Sequence, residues 1–190
     1  MTPELIARCT GASLANALIY AQPLNDAMAR FNIDTPRRQS AFLATVGVES
    51  GNLREVEEDL YYKDAARLAK IYRRHFSSAA QALPFTRNSS ALGKLLYGGY
   101  WGRGLLRMTW ERNYRVAGIA LKKPYLLQPS MVKEPVDAAL TAAWFWAVNG
   151  CNKPADVGDM TGVTLIVNGP ALMHLDRRIA LSVTGMETLA

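Results

Sequence analysis

Hydrophobic positions recur along this chain mostly at three- and four-residue intervals, the spacing of one face of an α-helix. The pattern predicts a short first helix opened by Thr2-Pro3-Glu4 and ended near Gly11, then helical stretches over 12–20 and 23–31 that turn Leu14, Leu18, Leu24 and Met28 inward. Thr35-Pro36 opens the next helix, because a threonine hydroxyl caps free amides and proline suits the first helical position. That run is apolar almost all round, with Phe42, Leu43, Val46 and Val48, as far as Glu49, and Gly51-Asn52 supplies its stop. Two more helices are predicted over 64–76, around Ala65, Leu68, Ile71 and Tyr72, and over 88–97, with Leu92, Leu95 and Leu96 on the buried side. Residues 105–114 pass from an apolar, extended segment into a helix that Thr109 caps. Residues 137–149, rich in tryptophan and closed by Gly150, read as the central core helix; 163–168 stop at Gly169-Pro170, and 176–183 form the last helix. Helices far outnumber possible strands, so the class is mainly α.

The two glutamates around Gly51 carry the candidate chemistry. A carboxylate at the end of a helix buried almost all round sits at a cleft edge or within the core, and poor solvation in either setting favours the protonated acid. On one uninterrupted helix Glu49 and Glu58 would face opposite ways, nine residues apart at about 100° each. With the stop at Gly51 the chain can double back and set Glu58 across a groove from Glu49. Two carboxylates in different environments are what acid/base cleavage of a glycosidic bond requires. The same pattern also suits a glutamate at a helix end followed by a solvated acidic patch.

Composition narrows the partner. At 190 residues the chain fits one catalytic domain over 1–190, and its net charge of +6 with a pI near 9.5 suits an anionic partner: nucleic acid, acidic lipid or a cell-wall polymer. Cys9 and Cys151 are too few for a disulfide framework, and His75 and His174 stand alone, so neither metal nor cofactor is expected. The first residues lack the pattern of a signal peptide, and no run is long enough to span a membrane, which points to synthesis in a cytoplasm. The glycine-rich stretch 98–104, GGYWGRG, lacks the lysine followed by Ser or Thr of a phosphate loop. It offers Tyr100, Trp101 and Arg103 as walls against which a sugar ring or a base can lie.

Taken in order, these segments resemble family 19 glycoside hydrolases, specifically the chitinase-like endolysins of phages and prophages, from about Ala41 to Arg178. AFLATVGVESGNLREVEEDLYY is similar to the stretch in which the Glu of V-x-E-S-G is the general acid; the resemblance places Glu49 there and Glu58 as the second carboxylate, with Tyr61 close behind as a sugar contact. RGLLRMTWERNY resembles the R-G-x-I-Q-L-[ST] segment, which implies Thr109 as the hydroxyl that holds the attacking water and Arg107 and Asn113 as sugar contacts. LIVNG and LDRR resemble the I-N-G and D-R-R elements, implying Asn168 and Arg177 as further contacts. Three departures stand out: Arg107 where the family has glutamine, a loop without G-D-G before Trp101, and Pro170 in place of a second glycine. A cation beside Glu49 would draw that acid toward its ionised form.

The resemblance implies a lysozyme-like fold, two lobes around a substrate cleft, and single-displacement hydrolysis with inversion. The positive charge favours peptidoglycan over neutral chitin. The expected protein is a monomeric endolysin that binds no nucleic acid, made in the host bacterial cytoplasm and reaching the wall through a lesion opened by a separate membrane-permeabilising protein. A chitinase, or a catalytically impaired wall-binding or phage structural protein of the same fold, are the alternatives.

Overall fold

The computed structural model, which describes residues 1–189, is built from helices, with extended pairing limited to isolated bridge residues. It divides into two compact units. Unit 1 comprises Met1–Val56, Arg103–Arg107 and the chain from Ser130 onward; unit 2 comprises Glu57–Gly102 and Met108–Pro129.

Unit 1 contains α1 (Pro3–Thr10), α2 (Leu14–Arg30), α3 (Pro36–Glu49), α8 (Pro135–Val148), α9 (Asn152–Asp156), α10 (Met160–Asn168) and α11 (Leu175–Leu189). The predicted caps form. The Thr2 and Thr35 side chains accept from the amides of Leu5 and Arg38, and Pro3 and Pro36 occupy first-turn positions. The central helix is α3 rather than the tryptophan-rich α8. Nine consecutive residues, Ser40 to Val48, are buried, because α1, α8, α9, α10 and α11 all pack on α3. Phe42 meets the edge of Trp146 at 5.4 Å, and Arg38 grips both oxygens of Asp156 at 2.7 and 2.8 Å, tying the start of α3 to α9.

Two close crossings hold α3 in place. A Cβ added at Gly47 would lie 2.3 Å from the carbonyl oxygen of Thr10, so α1 can cross there only over a glycine. At Gly185 on α11 it would lie 2.8 Å from Cβ of Ser40. Cys9 and Cys151 are free and buried, and burial pushes their thiols up to about 11 and about 12.

The helix α2 is a single element running through Pro23. The carbonyl that proline leaves without its helical partner belongs to Ile19, a half-exposed residue on the outer side of the helix. Leu24 and Met28 turn inward as expected, but Leu14 and Leu18 are 48% and 61% exposed. The buried face is carried by Ala17, Tyr20, Ala21 and Ala27 instead, because small residues let the partner helix lie close.

Unit 2 contains α4 (Ala65–Ile71), the single-turn α5 (Ala79–Ala82), a 3-10 turn at Leu83–Phe85, α6 (Ser89–Tyr97) and α7 (Glu111–Leu121). Asp64 and Asn88 cap α4 and α6. The predicted helix over 64–76 ends at Ile71, and residues 72–75 are turns. Its core gathers Leu60, Leu68, Phe76, Ala82, Leu92 and Leu96, while Leu95 is 41% exposed. Leu105 and Leu106 form a turn rather than an extended segment. Thr109 does not cap α7; the cap position is Trp110, which makes no side-chain cap bond.

Replacing Gly47 by alanine is expected to cost about 3 kcal/mol, since the obstructing atom is backbone. Gly150→Ala, at φ 72° in open space, is expected to cost about 1 kcal/mol from left-handed strain alone. Denaturant melts of the two variants check this, and equal losses would contradict the α1 crossing as the constraint.

Candidate active site

Glu49 is the last residue of α3, 18% exposed at its side chain, where the buried helix reaches its end. Ser50 closes the helix: its amide and hydroxyl both bond to the Val46 carbonyl, and its Oγ accepts from the amide of Leu53 at 2.9 Å. The chain then reverses through Gly51, Asn52 and Leu53, all at positive φ, so the predicted stop is present. The Glu49 carboxylate pairs through Oε1 with Nη2 of Arg178 on α11. Arg178 is completely buried, and its Nε and Nη1 have no hydrogen-bond partner among the described residues. A buried guanidinium so poorly served depends on its one carboxylate.

Arg107 does not take that place. Its Nε donates to the main-chain carbonyl of Glu49 at 3.2 Å and its Nη2 to the exposed carboxylate of Glu55 at 2.9 Å. The cation at the glutamine position of the resemblance therefore closes the helix C-terminus, where positive charge is favoured, and has its own counter-ion. Arg177, beside Arg178, points the other way, bonding to Oδ1 of Asn52 at the rim of a pocket shared with Asn16 and Arg54.

In unit 2, Glu58 is half-buried and held from three directions. Its amide donates to the Gly102 carbonyl at 2.8 Å, Oε1 accepts from the Tyr97 hydroxyl at 2.9 Å, and Oε2 accepts from the Gly102 amide at 3.3 Å. Both carboxylate oxygens are thus engaged by donors. Behind it the Tyr62 and Tyr72 hydroxyls meet at 3.4 Å. Burial and the bond to Glu58 push the Tyr97 hydroxyl up to about 12, and burial and Tyr62 raise Tyr72 further.

The remaining predicted residues are dispersed. Tyr61 is 49% exposed. Tyr100 is half-buried, its hydroxyl donating to the Leu126 carbonyl at 3.0 Å. Trp101 lies on Gly93, where an added Cβ would sit 2.4 Å from the ring, and donates from Nε1 to Glu57 at 3.0 Å. Arg103 is buried, so this stretch is an anchored segment and not an open wall. Gly98 closes α6 in the left-handed region. Thr109 is half-buried, and its carbonyl accepts from the Asn113 side chain at 2.8 Å. Asn168 caps the turn before α11 through Met173.

Three residues were missed by sequence reasoning. Arg178 sat in the D-R-R stretch, where the exposed neighbour was preferred. Tyr97 looked like the end of a helix. Trp110 is 56% exposed at φ 76° with its ring edge on Tyr97 at 5.2 Å, and an exposed aromatic held in a strained backbone is a signal for a contact surface.

The family described as chitinase class I, glycoside hydrolase family 19, matches residues 67–165, a span that begins after both glutamates. An acidic endochitinase of Populus trichocarpa is 39% identical over 64 residues, covering 33% of this chain and 19% of its own length. An endochitinase of Arabidopsis thaliana is 33% identical over 114 residues, covering 60% of this chain and 33% of its own length. The chain thus spans only a fifth to a third of the length of these relatives. Among solved structures, chitinase C from Streptomyces griseus superposes with a TM-score of 0.64 at 21% identity, covering 99% of this chain and 76% of that one. A bacterial family 19 chitinase superposes with a TM-score of 0.66 at 20% identity, covering 100% and 94%. At these identities the likeness shows the fold, which is the lysozyme-like helical fold of family 19 chitinases.

Arg178→Met is expected to destabilise the protein by about 3–5 kcal/mol, because it leaves the Glu49 carboxylate without its partner; a calorimetric loss near zero would show that the pair carries no weight. Tyr97 predicts an alkaline effect. An unfolded tyrosine ionises near pH 10. Folded Tyr97 keeps its proton up to about 12, so its contribution is complete below about pH 10 and is lost as pH rises through about 12. Melts of Tyr97→Phe between pH 8 and 12 should therefore fall less steeply than those of the wild type.

Proposed function

The chain belongs to the chitinase class I family, glycoside hydrolase family 19, and on that premise we propose that it hydrolyses β-1,4 glycosidic bonds of bacterial peptidoglycan as a phage or prophage endolysin. The observation that carries the reading is the carboxylate of Glu49, delivered by a rigid buried helix and held through one oxygen by a buried arginine. Arg178 occupies Oε1, which leaves Oε2 as the oxygen that passes a proton to the departing sugar oxygen, a proton the neighbouring cation makes harder to hold. Glu58, fixed by Tyr97 and Gly102, draws the proton from the attacking water. Thr109 orients that water, and Asn113, Asn168 and Arg177 contact the glycan. One displacement with water on the opposite face inverts the anomeric centre.

The substrate follows from charge. A protein with net charge +6 is drawn to a polymer that carries carboxylates more than to neutral chitin. No helix among the described residues is long and apolar enough to cross a membrane. In this reading the chain acts as a monomer and one catalytic domain, is made in the host cytoplasm, and reaches the wall after a separate protein permeabilises the membrane. The second reading is hydrolysis of chitin, favoured by the names of the relatives described above, which are endochitinases and chitinases.

Sacculi and chitin, each incubated with wild type and Glu49→Gln, test both. Wild type is expected to release muropeptides with hydrated reducing ends, seen by mass spectrometry, and Glu49→Gln to release at least 100-fold less. Because Arg178 depends on the Glu49 charge, the variant should also melt lower, and the assay belongs below both melting temperatures. Full activity in Glu49→Gln would remove the mechanism. Fragments from chitin alone would establish the second reading, and binding without release from either substrate would leave a wall-binding domain.

A further inference from the structure

The charge of this chain is segregated. Unit 1 holds eleven Lys and Arg against eleven Asp and Glu, whereas unit 2 holds eleven against five, so the whole net charge of +6 belongs to unit 2. It is concentrated at α4 and its flanks, where Lys63, Arg67, Lys70, Arg73 and Arg74 are all exposed and Asp64 is the one carboxylate. That carboxylate accepts from the amide of Arg67 at 2.9 Å as the cap of α4, and its charge offsets one of the five. Nearby Asp59 likewise accepts from the amide of Tyr61 at 2.8 Å. None of the five cations forms a salt bridge among the described residues. Arg67 and Lys70 lie on α4 itself, Lys63 just before its cap Asp64, and Arg73 and Arg74 in the turns after it, so the five form a basic stripe along this segment of chain.

The stripe opens onto a concavity of about 400 Å³ lined by Asp59, Tyr61, Tyr62, Lys63, Asp64 and Arg67. Tyr61 offers a half-exposed ring there. The lining sets two carboxylates, Asp59 and Asp64, beside its two cations, so the excess positive charge lies next to it at Lys70, Arg73 and Arg74; an aromatic face beside that excess suits a sugar whose substituents carry carboxylates. A membrane surface fits less well: α4 has only seven residues, and its apolar side, Leu68, is spent in the core of unit 2. Single-stranded nucleic acid would use several stacking rings, and this concavity exposes one.

We propose that this face of unit 2 is a docking site for an anionic glycan. Tyr61 stacks on a sugar, Lys63 and Arg67 take carboxylates of its substituents, and Lys70, Arg73 and Arg74 extend the attracting field along the strand. The inference rests on the wall-glycan reading above, but it concerns capture and not bond cleavage, so the two fail separately.

Sedimentation of the full chain with purified sacculi at 4 °C, across salt concentrations on either side of about 0.15 M, reads capture alone. Arg67→Gln/Lys70→Gln/Arg74→Gln is expected to bind sacculi about tenfold more weakly at low salt and to show a flatter salt dependence. Tyr61→Ala should weaken binding without changing that dependence. Circular dichroism confirms that each variant is folded. Binding and salt dependence equal to wild type in the triple variant would overturn the proposal. So would unchanged sacculus binding together with lost binding to phosphatidylglycerol vesicles or single-stranded DNA, which would assign the stripe to a membrane or to nucleic acid. Sacculi bound but never cleaved on warming would leave docking in place and remove the hydrolase reading.

Discussion

The ion pair between Glu49 and Arg178 is the constraint on which unit 1 turns. A helix buried over nine consecutive residues must put its polar end somewhere, and α3 ends on a carboxylate whose partner is a guanidinium with no exposed surface. Removing a cation from water is costly, and one carboxylate oxygen is the acceptor this one finds. The pair also sets the register of two antiparallel helices. Ser40 meets Gly185 at one end of the α3–α11 contact, and Glu49 meets Arg178 at the other. A shift by one residue would drive a Cβ into Ser40 and separate the charges, so sterics and electrostatics select the same alignment.

The two candidate carboxylates are held by different chemistry. Glu49 has a cation at one oxygen; Glu58 has a phenol and a peptide amide, one on each oxygen. Removing a proton from water requires a carboxylate that stays in one rotamer, and Glu58 is fixed by two hydrogen bonds to the Gly102 backbone and one from the Tyr97 hydroxyl. Arg107 is taken up by the Glu49 carbonyl and by Glu55, and the cation that does reach the Glu49 carboxylate is Arg178.

The segregation of charge adds a division of labour to the fold. Unit 1 is neutral and spends its ions on internal pairs such as Arg38 with Asp156, each stabilised by the other in its charged form. Unit 2 leaves the cations of α4 unpaired and uses its nearby carboxylates to cap backbone amides. Unit 1 is thus neutral and tightly packed, and the excess positive charge belongs to unit 2.

The helical class, the opening of α3 at Thr35-Pro36, its stop after Glu49 and the cap at Thr2 are determined by the sequence itself. Each depends on interactions within about four residues, where the bonding partner is set by chain connectivity. The identity of Glu49's partner lies 129 residues away and that of Glu58's lies 39 away, and only the packing of α11 on α3 and of α6 on the segment after Val56 brings them together. Periodicity likewise marked Leu14, Leu18 and Leu95 as inward, but a helix's apolar stripe is buried only as wide as its neighbour is, and the neighbours cover the alanine side of α2 and the Leu92–Leu96 side of α6. Net charge was legible as a total; its confinement to one unit was decided by where the chain leaves unit 1 and returns to it, a property of tertiary packing that no local pattern contains.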